Sequence, residues 1–254
     1  MKTMVTANQK GGVGKTATLV HLAFDFVERG LRVAVVDLDT QGNASYTLQA
    51  FASGCTASRM FNGAEGLADH FGDMGDGGLM RLIESDPQMA DMEKRSISEA
   101  GAAFRANIEA LEAAGFDVVL IDTAPSLGVG LAAALLSADY VLSPIELEAY
   151  SIQGIKKMVT TIANVRKANP KLKFLGMVPS KVDARNPRHG RHLADLEQAY
   201  PQLLIPAGVG LRSSIADALA SGVPVWKIRK TAARKAAKEV RALADHVITK
   251  MEIV

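Results

Sequence analysis

The chain has 254 residues, 48% of them hydrophobic, and a formal net charge of +2. That is enough for one domain, residues 1–254, with a sizeable core, and too little charge to announce nucleic acid, so the distribution of charge has to decide. Its single cysteine, Cys55, excludes an intramolecular disulfide and a cysteine-only iron–sulfur site within one chain. The first residues lack a signal-peptide pattern and no apolar stretch approaches the roughly 20 residues of a membrane span, so the expectation is a cytoplasmic protein.

Residues 2–8 predict a first strand. Lys10-Gly11-Gly12-Val13-Gly14-Lys15-Thr16 follows, then a helical pattern with Leu19, Leu22, Ala23, Phe26 and Val27 on one face and Gly30 as its stop. Strand, Gly-rich loop and helix in that order predict a phosphate loop, although Gln9 stands where the standard pattern has its first glycine. Glycines let backbone N–H groups approach an anion, and the helix adds its N-terminal dipole. In such a loop Lys15 reaches the β- and γ-phosphates and the Thr16 hydroxyl ligates Mg²⁺. Gly11, Gly12, Val13, Gly14, Lys15, Thr16 and Ala17 are the expected nucleotide contacts. The bland alternative is a Gly-rich turn that happens to carry Lys-Thr.

Residues 32–37 form a nearly continuous apolar run, as in a strand buried on both faces of a parallel sheet, and complete a βαβ unit. It leads into Asp37-Leu38-Asp39-Thr40-Gln41-Gly42-Asn43, which places carboxylates at the carboxyl end of a parallel strand, where ligands bind in such sheets. Strand-end capping is the other reading of both aspartates. Residues 50–80, punctuated by seven glycines, predict a variable surface segment with short helices and no chemistry. A helix is predicted over 96–114. Another apolar run ends at Asp122, the arrangement that presents a carboxylate to Mg²⁺, and continues as Thr123-Ala124-Pro125-Ser126-Leu127-Gly128. Strands are predicted at 140–144, 174–179 and 203–206. The crowd of Arg185, Arg188, His189, Arg191 and His192 has no convincing metal spacing. In the tail, Lys227, Arg229, Lys230, Arg234, Lys235, Lys238 and Arg241 stand against Glu239, while Ala233, Ala237, Val240, Ala244, Val247 and Met251 recur at helical steps. A core-packed helix with a basic outer face follows.

The K-G-G-V-G-K-T loop, the D-L-D-T-Q-G-N segment and the D-T-A-P-S-L-G segment together resemble the deviant Walker ATPases of the ParA/MinD family. The likeness extends over nearly the whole chain and is loose at 50–100. It implies a doubly wound, mostly parallel α/β sheet with helices on both faces, of the P-loop NTPase type, and ATP with Mg²⁺ as cofactors. It further implies that Lys10 reaches the nucleotide of a partner subunit, so that ATP joins a homodimer; the plain alternative is a solvated loop lysine. Lys10, Lys15 and Asp39 are then the catalytic residues, Asp39 orienting the attacking water. Thr16, Asp37 and Asp122 serve the metal, Asp37 supporting the loop and metal shell. Thr40 replaces the family's usual proline and leaves that loop freer. The loop carrying Pro206 is expected to border the adenine.

Glu146 replaces a glutamine in the segment 145–154, which the resemblance puts near the dimer face; an acidic pair at a helix start is the other reading. Arg212, in a region relatives use for DNA, joins Lys227, Lys230 and Lys235 as an expected DNA-binding set; a solvated basic face is its alternative.

The likeness is to the plasmid partition branch. It implies an ATPase that binds DNA non-specifically as an ATP dimer and is released when a ParB-type, KorB-like centromere-binding protein stimulates hydrolysis, in the cytoplasm on the nucleoid. With the first strand at residue 2, no N-terminal DNA-reading domain or sequence-specific autorepression is expected. Three rivals remain: a MinD-like membrane-positioning ATPase, against which the tail argues; an ATP-using metabolic enzyme of the same fold; and a binding switch with negligible hydrolysis.

Overall fold

Long apolar runs that lack alternation need cover on both faces, and the computed structural model provides it. It describes residues 1–75, 77–148 and 151–253, the side chains of 151–153 excepted. Among these, eight strands form one parallel sheet: β1 (Lys2–Thr6), β2 (Arg32–Asp37), β3 (Ala52–Thr56), β4 (Leu79–Glu84), β5 (Val118–Asp122), β6 (Tyr140–Glu146), β7 (Lys173–Val182) and β8 (Val209–Gly210). Their order across the sheet is β3-β4-β2-β5-β1-β6-β7-β8. The helices are α1 (Lys15–Glu28), α2 (Asn43–Thr47), α3 (Met89–Met92), α4 (Ile97–Ala113), α5 (Val129–Ser137), α6 (Ser151–Val165), α7 (Pro187–Ala199), α8 (Ser213–Ala220) and α9 (Thr231–Met251).

The two-residue period of each strand divides its side chains between two cores. Val33, Val35, Val118 and Leu120 pack with α1 residues Leu19, Leu22 and Phe26 and with α9 residues Leu243 and Val247. Ala34, Val36, Val119 and Ile121 pack on the opposite side, against α4 residues Phe104 and Ile108 and the apolar residues of α5. Ser96 caps the start of α4: its Oγ accepts from the Glu99 N–H at 3.2 Å and donates to Glu99 Oε2 at 2.9 Å.

Residues 50–80 correct the sequence expectation. The segment carries β3 and the start of β4, and Met60, Phe61, Leu67 and Phe71 are buried in the core under α4. The Asn107 side chain ties it down, donating to the Met60 carbonyl at 3.1 Å and the Asn62 carbonyl at 2.8 Å. β3 carries no signal of its own, because Ala52-Ser53-Gly54-Cys55-Thr56 buries only Cys55. At the other edge of the sheet, 203–206 is not the last strand. It contributes one bridge, Leu204 to Met177, and the edge strand is β8. In the segment 145–154, Ala149 and Tyr150 lie outside the described residues.

Candidate nucleotide-binding site

The strand order reverses around β1, which lies between β5 and β6, and that switch point opens a crevice at the carboxyl ends of the strands. Register then brings three polar residues into line: Thr6 stands opposite Asp122, and Asp122 opposite Asp37. The loop from β1 to α1 lies over them. Gly12 and Gly14 adopt φ of +75° and +88°, and a Cβ on Gly14 would come within 2.6 Å of Ser180 Oγ. Gly14 is also the N-cap of α1, with no side-chain cap and no acidic residue in the first turn, so the helix presents its leading N–H groups to an anion.

Lys15 is buried, and among the described residues its Nζ reaches only the Lys10 carbonyl oxygen at 3.5 Å, the limit of a hydrogen bond. Burial holds its ammonium below the ordinary range, against the opposing pull of Asp122 and Asp39. Asp122 is fully buried; its Oδ2 accepts from Thr16 Oγ1 at 2.6 Å and its Oδ1 from Thr6 Oγ1 at 3.1 Å. Burial and then the neighbouring Asp37 push its carboxyl up to about 7. A hydroxyl and a carboxylate side by side, with phosphate oxygens and water to complete the shell, suit Mg²⁺, which keeps water and takes few protein ligands.

Asp37 does something more specific than a metal shell requires. Its Oδ2 accepts from the Ser45 N–H at 2.8 Å and Ser45 Oγ at 2.7 Å, and its Oδ1 from the Asp39 N–H at 3.1 Å. Both oxygens thus hold the loop that carries Asp39. Asp39 has Oδ1 on the Gln41 N–H at 3.0 Å and lines an open cavity of about 560 Å³ together with Gly11, Gly12, Lys15, Thr16 and Pro125. Tyr46, 65% exposed, stands on the rim of that cavity, a residue the motifs did not single out.

Lys10 is half exposed and turned toward its own chain. Its Nζ donates to Glu146 Oε2 at 2.9 Å and Glu148 Oε2 at 2.6 Å, and Glu146 also pairs with Lys181 at 3.1 Å. The hydrogen bond that it donates to Glu148 leads the effects that hold the Lys10 ammonium above its usual range. The acidic pair engages the signature lysine.

A second, apolar cavity of about 200 Å³ adjoins the first, sharing Gly14, Ala17 and Leu219 with it. Pro206 is exposed and lines a different cavity, one without any residue of the phosphate loop. Glu93 was also missed by local pattern: from the end of α3 it accepts from the N–H groups of Val129 at 2.8 Å and Gly130 at 3.2 Å, fixing the start of α5 after Pro125-Ser126-Leu127-Gly128. Such a contact spans 36 residues and leaves no sequence signal.

The expected DNA-binding set divides. Arg212 is 20% exposed and bidentate on Glu239, at 3.1 Å and 2.5 Å, while Glu239 also accepts from the Gly210 N–H. Lys230 pairs with Asp217 at 2.6 Å. Arg241, from the same tail, pairs with Asp25 and Glu28 and stacks 3.8 Å from the Trp226 ring centre. Lys227 and Lys235 are exposed, as are Arg229, Arg234 and Lys238. No helix among the described residues is long and apolar enough to cross a membrane.

A Gly-rich loop between β1 and α1, with Lys15, Thr16 and a strand-end Asp122 converging beneath it, defines a P-loop nucleotide-binding protein. Comparisons with known proteins narrow this. The family profile described as AAA domain matches residues 1–174. The chain is 73% identical to the protein IncC of Escherichia coli over 257 aligned positions, covering 100% of this chain and 71% of that one. It is 31% identical to the chromosome-partitioning ATPase Soj of Thermus thermophilus, covering 99% of this chain and 97% of that one. Among solved structures it resembles the cobyrinic acid a,c-diamide synthase of Mycobacterium smegmatis with a bound ATP analogue and magnesium, at 25% identity, a TM-score of 0.76 and coverage of 100% and 96%. The chain belongs to the ParA/MinD family of P-loop ATPases, in its ParA-type partition branch.

Proposed function

We propose that this chain is an ATP-gated DNA-segregation ATPase acting in the cytoplasm on the nucleoid. The observation that carries the proposal is the 73% identity to IncC along the whole chain, which exceeds the 25% identity to the diamide synthase by a wide margin. In this reading the whole chain acts as one domain. Lys15 and the loop amides bind the β- and γ-phosphates, Thr16 and Asp122 hold Mg²⁺, and Asp39 orients the attacking water. The metal, when bound, neutralises charge on the phosphate oxygens.

ATP closes a homodimer, and Lys10 leaves its own glutamates for the partner's nucleotide. An exposed ion pair such as that with Glu148 contributes about 0–1 kcal/mol, and Glu146 keeps Lys181 when Lys10 departs, so the lysine is released at little cost. Lys10→Ala is expected to leave nucleotide binding by the monomer within about twofold of wild type while abolishing ATP-dependent dimerisation, hydrolysis or both. Light scattering with and without ATP, paired with phosphate release, measures this; normal dimerisation and turnover would make Lys10 an ordinary loop lysine.

The dimer then binds duplex DNA through the exposed cations of the tail, with Lys227 and Lys235 as leading contributors. Arg212 is committed to Glu239, so its part is to hold the loop before α8 in place. Net charge of +2 is too small to drive binding by one copy; two copies on one duplex supply multivalency, which makes affinity depend on nucleotide. Contacts to phosphate carry no sequence information. Lys235→Ala is expected to lower the slope of log K against log salt by about 0.9 for unrelated sequences alike. Interferometry at several salt concentrations tests it, and an unchanged slope removes Lys235 from the DNA face. A ParB-type, KorB-like partner is proposed to stimulate hydrolysis and release the DNA. The experiment that tests the whole reading is sizing with and without ATP, followed by DNA binding on the same samples; a monomer that ignores ATP overturns it.

A further inference from the structure

The loop that follows Asp122 is tied at its two ends. At the near end Thr123 Oγ1 donates to the Thr6 carbonyl oxygen at 2.7 Å. At the far end Glu93 accepts from the N–H groups of Val129 and Gly130, the first two residues of α5. Between these ties, no hydrogen bond among the described residues holds residues 124–127. Pro125, Ser126 and Leu127 are exposed.

α5 has no side-chain cap of its own, because Gly128 is its N-cap residue. The Glu93 carboxylate supplies the cap from another segment. It occupies the space of a side chain at 128: a Cβ on Gly128 would collide with both carboxylate oxygens. Gly128 has φ of −89° and ψ of −177°, open to any residue, so space rather than backbone conformation requires a glycine here. Glu93 rests on a fixed support. Met89, one turn earlier, is buried in the same core as Val129 and Leu131, and Arg95 donates to the Phe61 carbonyl oxygen.

The loop is also part of the phosphate site. Pro125 lines the phosphate cavity with Lys15, Thr16 and Asp39. Its Cγ would lie 3.9 Å from a Cβ on Gly11, so its ring packs against the phosphate loop. Lys15, Thr16 and Asp122 are carried by α1 and β5 instead.

We propose that Glu93 is a positioning residue for ATP hydrolysis: its carboxylate fixes residues 124–127 so that Pro125 walls the phosphate cavity where the attacking water is ordered. The proposal rests on the ATPase reading above and adds to it a residue outside the nucleotide motifs. Freed of the cap, the loop carries Pro125 off the phosphate loop and solvent replaces the wall. The nucleotide and metal contacts persist, so turnover falls while affinity does not. A displacement of about 1 Å can cost roughly 10²-fold in rate, and a loop still tied at Thr123 loses less.

Steady-state phosphate release and ATP titration compare wild type, Glu93→Ala, Glu93→Gln, Gly128→Ala and the double variant Glu93→Ala/Gly128→Ala. Glu93→Ala is expected to lower kcat about tenfold with KM within about twofold of wild type. Gly128→Ala keeps Glu93, but its methyl group displaces the carboxylate, so the same loss is expected. Both remove one interaction, so the double variant is expected to fall no lower than either single variant. Glu93→Gln keeps an oxygen for one N–H and is expected to stay within about threefold of wild type. A cap of purely structural value would lower the thermal midpoint and leave kcat unchanged below it, and that result overturns the proposal. So does multiplication of the two losses in the double variant, or a Glu93→Gln as slow as Glu93→Ala. If Glu93→Ala fails to fold, as judged by circular dichroism, the other two single variants decide: a loss in Gly128→Ala with retention in Glu93→Gln supports the proposal, and any other pair overturns it. Unchanged kcat in a folded Glu93→Ala overturns the role of Glu93 alone. A wild type that binds ATP without hydrolysing it overturns the hydrolysis reading and this proposal together.

Discussion

Lys15→Ala is expected to lose ATP binding by roughly 10²-fold or more, the size of a charge-assisted contact removed from a buried site. The structure explains why so much rests on one side chain. The ammonium is already desolvated and, among the described residues, donates only to a backbone oxygen at 3.5 Å, so its electrostatic capacity is left for the phosphates. The free variant is expected to fold. Asp122 loses a neighbouring cation, but burial already brings its carboxyl to about 7, and protonation relieves the remaining charge. Titration with a fluorescent ATP analogue measures the loss, and the thermal midpoint without nucleotide separates it from misfolding. Wild-type affinity in a folded Lys15→Ala would remove the loop from the phosphate site.

Asp39→Ala is expected to reduce hydrolysis by roughly 10²–10⁴-fold, as for a positioned proton-transfer group, and to leave an ATP-bound dimer that persists. Lys15, Thr16 and Asp122 are untouched, so nucleotide and metal binding remain. The Asp37 carboxylate still accepts from the residue 39 N–H and from Ser45, so the loop keeps its anchor. The side chain is thereby separated from the scaffold that positions it. Single-turnover hydrolysis and light scattering on the same sample check the pair of outcomes. Unchanged turnover would move the catalytic role to another residue of this loop.

What the sequence determined by itself was local. A loop of Lys, Gly and Thr between an apolar strand and an amphipathic helix is specified by neighbours within a few residues, so Lys15, Thr16 and Gly14 were legible, as were the apolar runs ending at Asp37 and Asp122. The apolar spacing over 96–114 is local as well, and the start of α4 was legible from it.

Tertiary structure decided what depends on pairing between distant segments. β5 inserts between β1 and β2, and only that order puts Asp122 in register with both Thr6 and Asp37. No propensity at residue 122 encodes a neighbour more than a hundred residues away. β3 and the turns after it look like surface because they are glycine-rich and short, yet α4 packs on the turn at residues 60–62. Charge composition could count the basic residues of the tail but not their acids. Arg212 meets Glu239 across 27 residues and Arg241 meets Asp25 across 216, and each ion pair turns a cation that the sequence offers to DNA into one the fold uses for itself.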